Sequence, residues 1–491
     1  MFNKLKQIYE NIKNLNYSVD SYKNDSIVQS LPNVALVNQA KKFIEKNDLE
    51  AAKKILLSAL DISNQDFIVF KYLGYVEEQN KNFNKAVEYL EDAIKLNPND
   101  KQVWSALGMN CLYADKFERA IEAFEQADKL NPNNTDIYTG WGMTYMRMKK
   151  YALAKDKFNY AARISKYNYT AILLSAVMEI RCGEYQIAED KLSFLTRVAP
   201  NESSNYEYAH LKLLQNKYQE ALIYAQKAIQ INPKMLPAYF VLSEIYSIQN
   251  DYEKNQITFY KALKEGLDSS ILHFEWGKSY LRLLNFIMAE YEFQIAVEKE
   301  ENFIEAKIGL ALARAYRSNF ELLDELKEKN ASNVYIQEGL GLEYLYQNDY
   351  EKSKEMFNKA LKTDSNQIYN YYNLTKVYKA LNDNYKVIEY YDKFIEKRPE
   401  NVEVLTEYAQ FLISISDYEE ANRKLNKALK YNPNNANVLN LLFLTQYTLV
   451  KKDVCEYNIK EAISCAKKAI ELGKFDYTPQ KQELEDMLNN L

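Results

Sequence analysis

WSALGMNCLYADKFERAIEAFEQADKLNPNN, residues 104–134, alternates very large and very small residues. Trp104, Leu107 and Phe124 stand among Gly108, Ala120 and Ala127, and the stretch stops on Asn-Pro-Asn-Asn. Small residues where a core wants volume predict two helices that approach backbone to backbone at Gly108 and Ala120. Sliding the same pattern along the chain gives Leu73-Gly74, Ala86, Leu90, Ala93 and Pro98 one step back. One step forward it gives Trp141-Gly142, Tyr145, Ala154, Phe158 and Ala161. Each step is 34 residues, and a fixed period of this length is the mark of a stacked repeat architecture.

The period continues in both directions. Ala176, Ala188 and Leu192 keep it, then Ala221, Ala225 and Ala228, then Phe259 and Ala262, then Trp276-Gly277, Ala289 and Phe293. After a break, Leu340-Gly341, Phe357 and Ala360 resume it, followed by Tyr378, Tyr391 and Pro399, by Ala421, Leu425 and Pro433, and by Ala462, Ala466 and Ala469. A weaker first unit carries Ala40, Ala52 and Leu56. Within a unit the apolar positions fall on one face of each of two helices. The pattern resembles the tetratricopeptide repeat (TPR) family over roughly residues 33–476, with about thirteen repeats. The resemblance implies an all-α helix-turn-helix solenoid, a right-handed superhelix with a concave inner face.

The period also sets the expected organisation. Residues 1–32 are predicted to form a leading helix and link, 33–303 an N-terminal array, and 334–476 a C-terminal array. Residues 477–491 are expected to form a capping helix with Leu484, Met487 and Leu488 turned inward, Thr478 as its N-cap and Pro479 at its first helical position. Segment 304–333 is about four residues short, lacks the usual Ala in its second helix, and is a degenerate repeat and candidate joint.

Composition agrees with an all-α protein. Of 491 residues only 11 are Gly and 9 Pro. Charge is nearly balanced, 63 basic against 68 acidic residues for a net of −5, which gives no footprint for nucleic acid. The most apolar run, from Val438, is too short and polar to span a bilayer. The four cysteines, 111, 182, 455 and 465, form no CxxC pair, and no secretory signal precedes the repeats, so a reduced cytoplasmic setting is expected.

No phosphate loop, dinucleotide fingerprint, zinc-protease or serine-hydrolase motif occurs. The two histidines, His210 and His273, fall at packing positions of their repeats, and the acidic runs are interspersed with Lys as on solvated helix faces. No enzyme, cofactor or metal site is therefore expected. The clamp by which some members of the family hold a C-terminal carboxylate is absent: Lys71 fits its first position, but Tyr75, Ala106, Asp136 and Gly140 stand where Asn, Asn, Lys and Arg are required.

What remains is binding. Under the resemblance, positions 2, 5, 9 and 12–13 of the first helices face the inner groove. In the N-terminal array these are Met109, Leu112, Tyr113, Met143, Met146, Leu173, Val177, Ile180, Leu211 and Leu214, an apolar run suited to an amphipathic helix or apolar peptide. In the C-terminal array they are Tyr335, Leu342, Tyr346, Tyr369, Tyr372, Asn373, Lys376 and Lys379, suited to a more polar or acidic ligand. The expected function is a non-catalytic scaffold that binds peptide or helical segments of other proteins along the groove. The alternative is a regulatory or substrate-recruiting subunit of a separate enzyme, such as a glycosyltransferase system. No oligomeric state follows from these residues.

Overall fold

The computed structural model describes residues 33–490 apart from 250, 366, 454–455 and 473–474; the expected leading helix and link over 1–32 lie outside the described residues. The described residues contain helices and no strand, and they fall into two compact units that divide at Asp268/Ser269. The first unit holds α1 (Val34–Glu45), α2 (Leu49–Ile62), α3 (Phe67–Gln79), α4 (Phe83–Leu96), α5 (Lys101–Tyr113), α6 (Phe117–Leu130), α7 (Thr135–Arg147), α8 (Tyr151–Ile164), α9 (Tyr169–Cys182), α10 (Tyr185–Val198), α11 (Glu202–Leu214), α12 (Tyr218–Ile231), α13 (Leu236–Ile248) and α14 (Tyr252–Lys264). The second holds α15 (Ser270–Arg282), α16 (Phe286–Lys299), α17 (Ile304–Ala315), α18 (Glu321–Leu326), α19 (Val334–Tyr346), α20 (Tyr350–Thr363), α21 (Tyr369–Ala380), α22 (Asn384–Lys397), α23 (Val402–Ser414), α24 (Tyr418–Tyr431), α25 (Ala436–Lys452), α26 (Glu456–Glu471) and α27 (Thr478–Asn489). Odd-numbered helices up to α25 open a repeat and even-numbered ones close it.

One turn geometry joins the two helices of nearly every pair. A residue with φ near +60° ends the first helix, as at Asn47, Lys81, Asp115, Lys149, Asn216, Asn348 and Asn382. The next backbone N–H then reaches back five residues, Lys116 N to Cys111 O at 2.8 Å and Lys150 N to Tyr145 O at 2.9 Å, closing the first helix as a Schellman motif. The entries are capped just as regularly. Asp66, Asp100, Asn134, Asn168 and Asn201 each accept a hydrogen bond from the first turn of the helix they precede. The Asn-Pro-Asn-Asn that ends the opening stretch thus closes α6 at Asn131, turns through Asn133 at φ 63°, and caps α7 with Asn134.

Lys81 holds its left-handed conformation, φ 60°, while exposed. An L-residue there costs about 1–2 kcal/mol, against 0.5–1 kcal/mol of extra chain entropy for Gly. Lys81→Gly should therefore raise stability by about 0.5–1 kcal/mol, measured as a higher urea midpoint; a lower midpoint would refute this account of the turn.

Gly108 does meet a close neighbour, but the neighbour is Phe124 rather than Ala120. A Cβ built on Gly108 would lie 2.7 Å from the Phe124 ring, and one built on Gly140, in the following repeat, would lie equally close to the same ring. Phe293 is held the same way between Gly277 and Gly309. The second-helix aromatic is thus clasped by two first helices, its own and the next.

The division at Asp268/Ser269 lies inside the expected N-terminal array, and the segment expected as a joint lies within the second unit. Its second helix, α18, has only six residues. Leu323 nevertheless is fully buried and takes the core place opposite Gly339, whose added Cβ would stand 2.9 Å from it. With α18 short, α17 packs directly on α19. At the C-terminus α27 starts at Thr478 itself, preceded by Tyr477, and buries Leu484 completely with Met487 and Leu488 packed on the same cluster.

Candidate functional site: the first-helix faces

In the first unit the residues expected to line an open apolar groove are instead enclosed. Leu112 and Leu211 have no exposed surface, Met143 has 1 %, and Met109, Met146, Val177 and Ile180 are buried as well. Tyr113 and Leu173 are half-buried against the same clusters, and only Leu214, 42 % exposed, stands clear. The physical reason is that successive first helices touch. Met109 Sδ lies against the backbone of Gly140 on the next first helix, 2.8 Å from where its Cβ would be. These side chains fill the seams between repeats, and an accessible apolar groove is not what they build.

The polar residues of this face are consumed as well. Lys71, fully buried, donates to Gln102 Oε1 at 2.7 Å and pairs with Asp100 at 3.2 Å, so its ammonium serves the junction between α3 and α5. Lys212 is 2 % exposed and bridges Glu189 at 2.6 Å and Glu220 at 2.8 Å. The hydrogen bonds from Lys212 and Gln215 hold the Glu189 carboxyl below the ordinary range. Lys191 joins Glu179, Asn159 and Ser175. Buried charges of this kind persist only when paired.

The second unit differs. Tyr335 is half-buried, and burial pushes its phenol up to about 12; Leu342 is buried, and Tyr346 is 66 % exposed. On α21, Tyr372 donates its hydroxyl to Glu407 of α23, 2.9 and 2.8 Å from the two carboxylate oxygens. Lys376 stands one turn further on, its ammonium 4.5 Å from the centre of the Tyr372 ring. Lys379 donates to Tyr391 Oη at 2.6 Å and lies 4.9 and 5.6 Å from the Tyr391 and Phe411 rings. Burial pulls both ammonium groups below the usual lysine range, opposed by the Glu407 charge; for Lys379 the Lys376 charge pulls the same way as burial. Lys376 is nevertheless exposed as a residue.

Two features of this unit carry no sequence motif. Tyr369, at the start of α21, donates to the carbonyl of Arg282 at the end of α15, and Arg398 reaches the same carbonyl at 3.3 Å. Side chains of Tyr369 and Arg398 therefore reach the backbone of a helix three or more repeats earlier in the chain. Beside them Glu338 of α19, 3 % exposed, accepts from Tyr316 and from Asn370 Nδ2 at 3.1 Å, while Asn373 Nδ2 donates to Tyr316 Oη at 3.0 Å. Burial pushes the Glu338 carboxyl up to about 7, against the pull of its two hydrogen bonds. The one clue in the sequence is Glu338 within VYIQEGLGLEYL, with no Lys or Arg within four positions.

The other chemistry-bearing residues serve packing. His273 is buried with Nδ1 2.6 Å from Glu292, and His210 lies 3.9 Å from Glu207. Burial pushes the Cys111 and Cys465 thiols up to about 12, leaving them unreactive; Cys182 is exposed. Among the described residues no group of three or more His, Cys, Asp or Glu could hold a metal ion, and no helix is long and apolar enough to cross a membrane.

Two family models, each described as tetratricopeptide repeat, match residues 67–110 and residues 102–134, 202–235 and 334–367. The BBSome complex member BBS4 of Bos taurus is 26% identical over 202 residues, which span 40% of this chain and 38% of that protein. Among solved structures, the APC/C hetero-tetramer Cut9-Hcn1 superposes with a TM-score of 0.50 at 13% identity, covering 93% of this chain and 96% of that one, a likeness of fold alone. YrrB, described as a TPR protein with an unusual peptide-binding site, gives a TM-score of 0.33 at 17% identity over 37% of this chain and 95% of its own. A helix pair that recurs every 34 residues, turned by one left-handed residue, is thus matched by tetratricopeptide repeat models at four stretches of this chain.

Proposed function

We propose that this protein is a non-catalytic scaffold that holds segments of partner proteins on the first-helix face of its second unit. Tetratricopeptide repeats support a protein–protein interaction scaffold in general, and the similar BBS4 protein is itself a member of a complex. The placement on the second unit rests on one observation: polar and aromatic side chains there, Tyr346, Tyr372 and Lys376 among them, are accessible or half-accessible, whereas most of the first-unit set, Met109, Met143 and Val177 among them, is sealed between repeats. Accessible aromatic and long polar side chains are what recognition surfaces use, because they bring area and hydrogen bonds together.

The test is hydrogen exchange on the whole chain with and without a partner captured by cross-linking in native extract. Slowed exchange in α19, α21 and α23 is the expected footprint. Protection confined to even-numbered helices would overturn the assignment of the face. Recovery of an enzyme as that partner would favour the recruiting-subunit variant of the same reading.

A further inference from the structure

We infer that the second unit's first-helix face carries a docking site for an acidic protein segment, in which a partner carboxylate settles between Lys376 and Lys379 over the Tyr372, Tyr391 and Phe411 rings. The inference rests on the scaffold reading and names the chemistry of the segment.

The chain supplies its own controls. Lys212 also sits over a ring, 4.9 Å from the centre of Tyr208, and is paired with Glu189 and Glu220. Lys424 sits 4.7 Å over Tyr408 and is paired with Asp392 and Glu420, both at 3.0 Å. Lys393 sits 4.6 Å over Tyr390 and is paired with Glu389. Each of these ammonium groups lies over a ring and is paired with a carboxylate as well.

Lys376 and Lys379 have the rings, but neither forms an ion pair among the described residues. Three residues apart on α21, they share one side of that helix. The carboxylate whose charge both feel, Glu407, is spanned by the Tyr372 hydroxyl. Two positive charges thus stand in a partly desolvated setting with one acid that is already engaged. A carboxylate brought by a partner would complete the arrangement that Lys212 and Lys424 complete internally, and the rings would pack the aliphatic part of an Asp or Glu side chain. Charge-assisted bonds of this kind are worth most where water is partly excluded.

A protein segment fits better than nucleic acid. The chain as a whole carries a net charge of −5, and two isolated lysines are too few for the phosphate-tracking surface that nucleic acid needs.

The experiment titrates the full chain with a fluorescein-labelled twelve-residue peptide of alternating Glu and Ser. It is made with a free and with an amidated C-terminus, and a Lys-for-Glu version serves as comparison. The acidic peptide should bind at least tenfold more tightly than the Lys version, and more weakly as salt rises. Lys376→Gln with Lys379→Gln should abolish that preference. Glu407→Gln, which removes the resident acid, should tighten binding severalfold, and it keeps the test decisive if the double variant loses helicity. Equal binding of the two amide forms places the contact on side-chain carboxylates; binding of the free form alone places it on a terminal carboxylate, and both support the site. Equal affinity for acidic and basic peptides, or an unchanged double variant, would overturn it. A partner whose footprint covers α19, α21 and α23 but is indifferent to the lysine changes would remove this site and leave the scaffold reading standing.

Discussion

Gly140→Val is expected to destabilise the first unit by about 3 kcal/mol or more, seen as a lower urea midpoint by circular dichroism. Two effects oppose each other at this position. Glycine inside a helix costs about 1 kcal/mol against alanine, so filling an open site would stabilise. Here the site is not open. An added Cβ would lie 2.7 Å from Phe124 Cζ and 2.8 Å from Met109 Sδ, well inside contact distance. Met109 can swing aside, but Phe124 has little room to move, because Gly108 also borders its ring so closely that a Cβ built there would lie 2.7 Å from it. Valine adds two further methyl groups to a ring that is fully buried, and overpacking wins. Gly183 offers the comparison: nothing lies within 4 Å of its would-be Cβ, and only its φ of 79° asks for glycine, so Gly183→Asn should cost far less. A double-mutant cycle with Phe124→Leu should show strong coupling to Gly140→Val, because the smaller side chain vacates part of the contested volume. A loss below 1 kcal/mol for Gly140→Val, or additivity in the cycle, would refute the picture of a ring clasped between two repeats.

Much of this could be read from the opening stretch, and the part that could not has a definite cause. Gly108 and the 34-residue step announced the helix pair and the period, because those demands are local and fall on distinctive residue types. The partner of Gly108 was less legible. Ala120 and Phe124 lie on one face of the second helix, and only packing decides that Phe124 rather than Ala120 lies on the glycine. The first-unit groove failed for a related reason. Met109, Leu112, Met143 and Val177 are apolar whether they face a ligand or the next first helix, and the period gives their angle but not the distance between repeats. Their burial means that Met143→Glu would measure folding, not binding. The second-unit set was more legible because lysine and tyrosine are not seam fillers. Tyr372, Lys376 and Lys379 do come together, while Glu338 and the Arg282–Tyr369–Arg398 bridge depend on contacts between distant repeats that no single period encodes. The division at Asp268/Ser269 was hidden as well, since the period runs through it, whereas the irregular 304–333 segment keeps its core through Leu323.

Glu338 should make the second unit less stable as pH rises from about 4.5 to about 7. The carboxyl is ordinary in the unfolded chain, near 4.5, and is pushed up to about 7 by burial in the fold. Between those values the folded state binds the proton more tightly than the unfolded state, so folding is favoured at the acid end. The contribution is fully present below the unfolded value and is lost by the time pH passes the folded one. A shift of this size corresponds to roughly 3 kcal/mol. Acids such as Glu389 and Glu420, held low by nearby lysines, pull the opposite way, so the total pH dependence does not isolate Glu338. The difference between the wild type and Glu338→Gln does. Glutamine keeps an oxygen for the Tyr316 hydroxyl, and Asn370 can turn its amide to accept from the new nitrogen, so the variant should fold. Hydrogen exchange of α19 and α21 amides, corrected for intrinsic rates, should show protection falling between pH 5.5 and pH 8 in the wild type and a markedly flatter profile in the variant. The helices of the first unit should respond alike in both proteins. Coincident profiles in α19 and α21 would mean that Glu338 is already ionised in the fold at pH 5.5. The Tyr316 and Asn370 hydrogen bonds would then outweigh burial at this site.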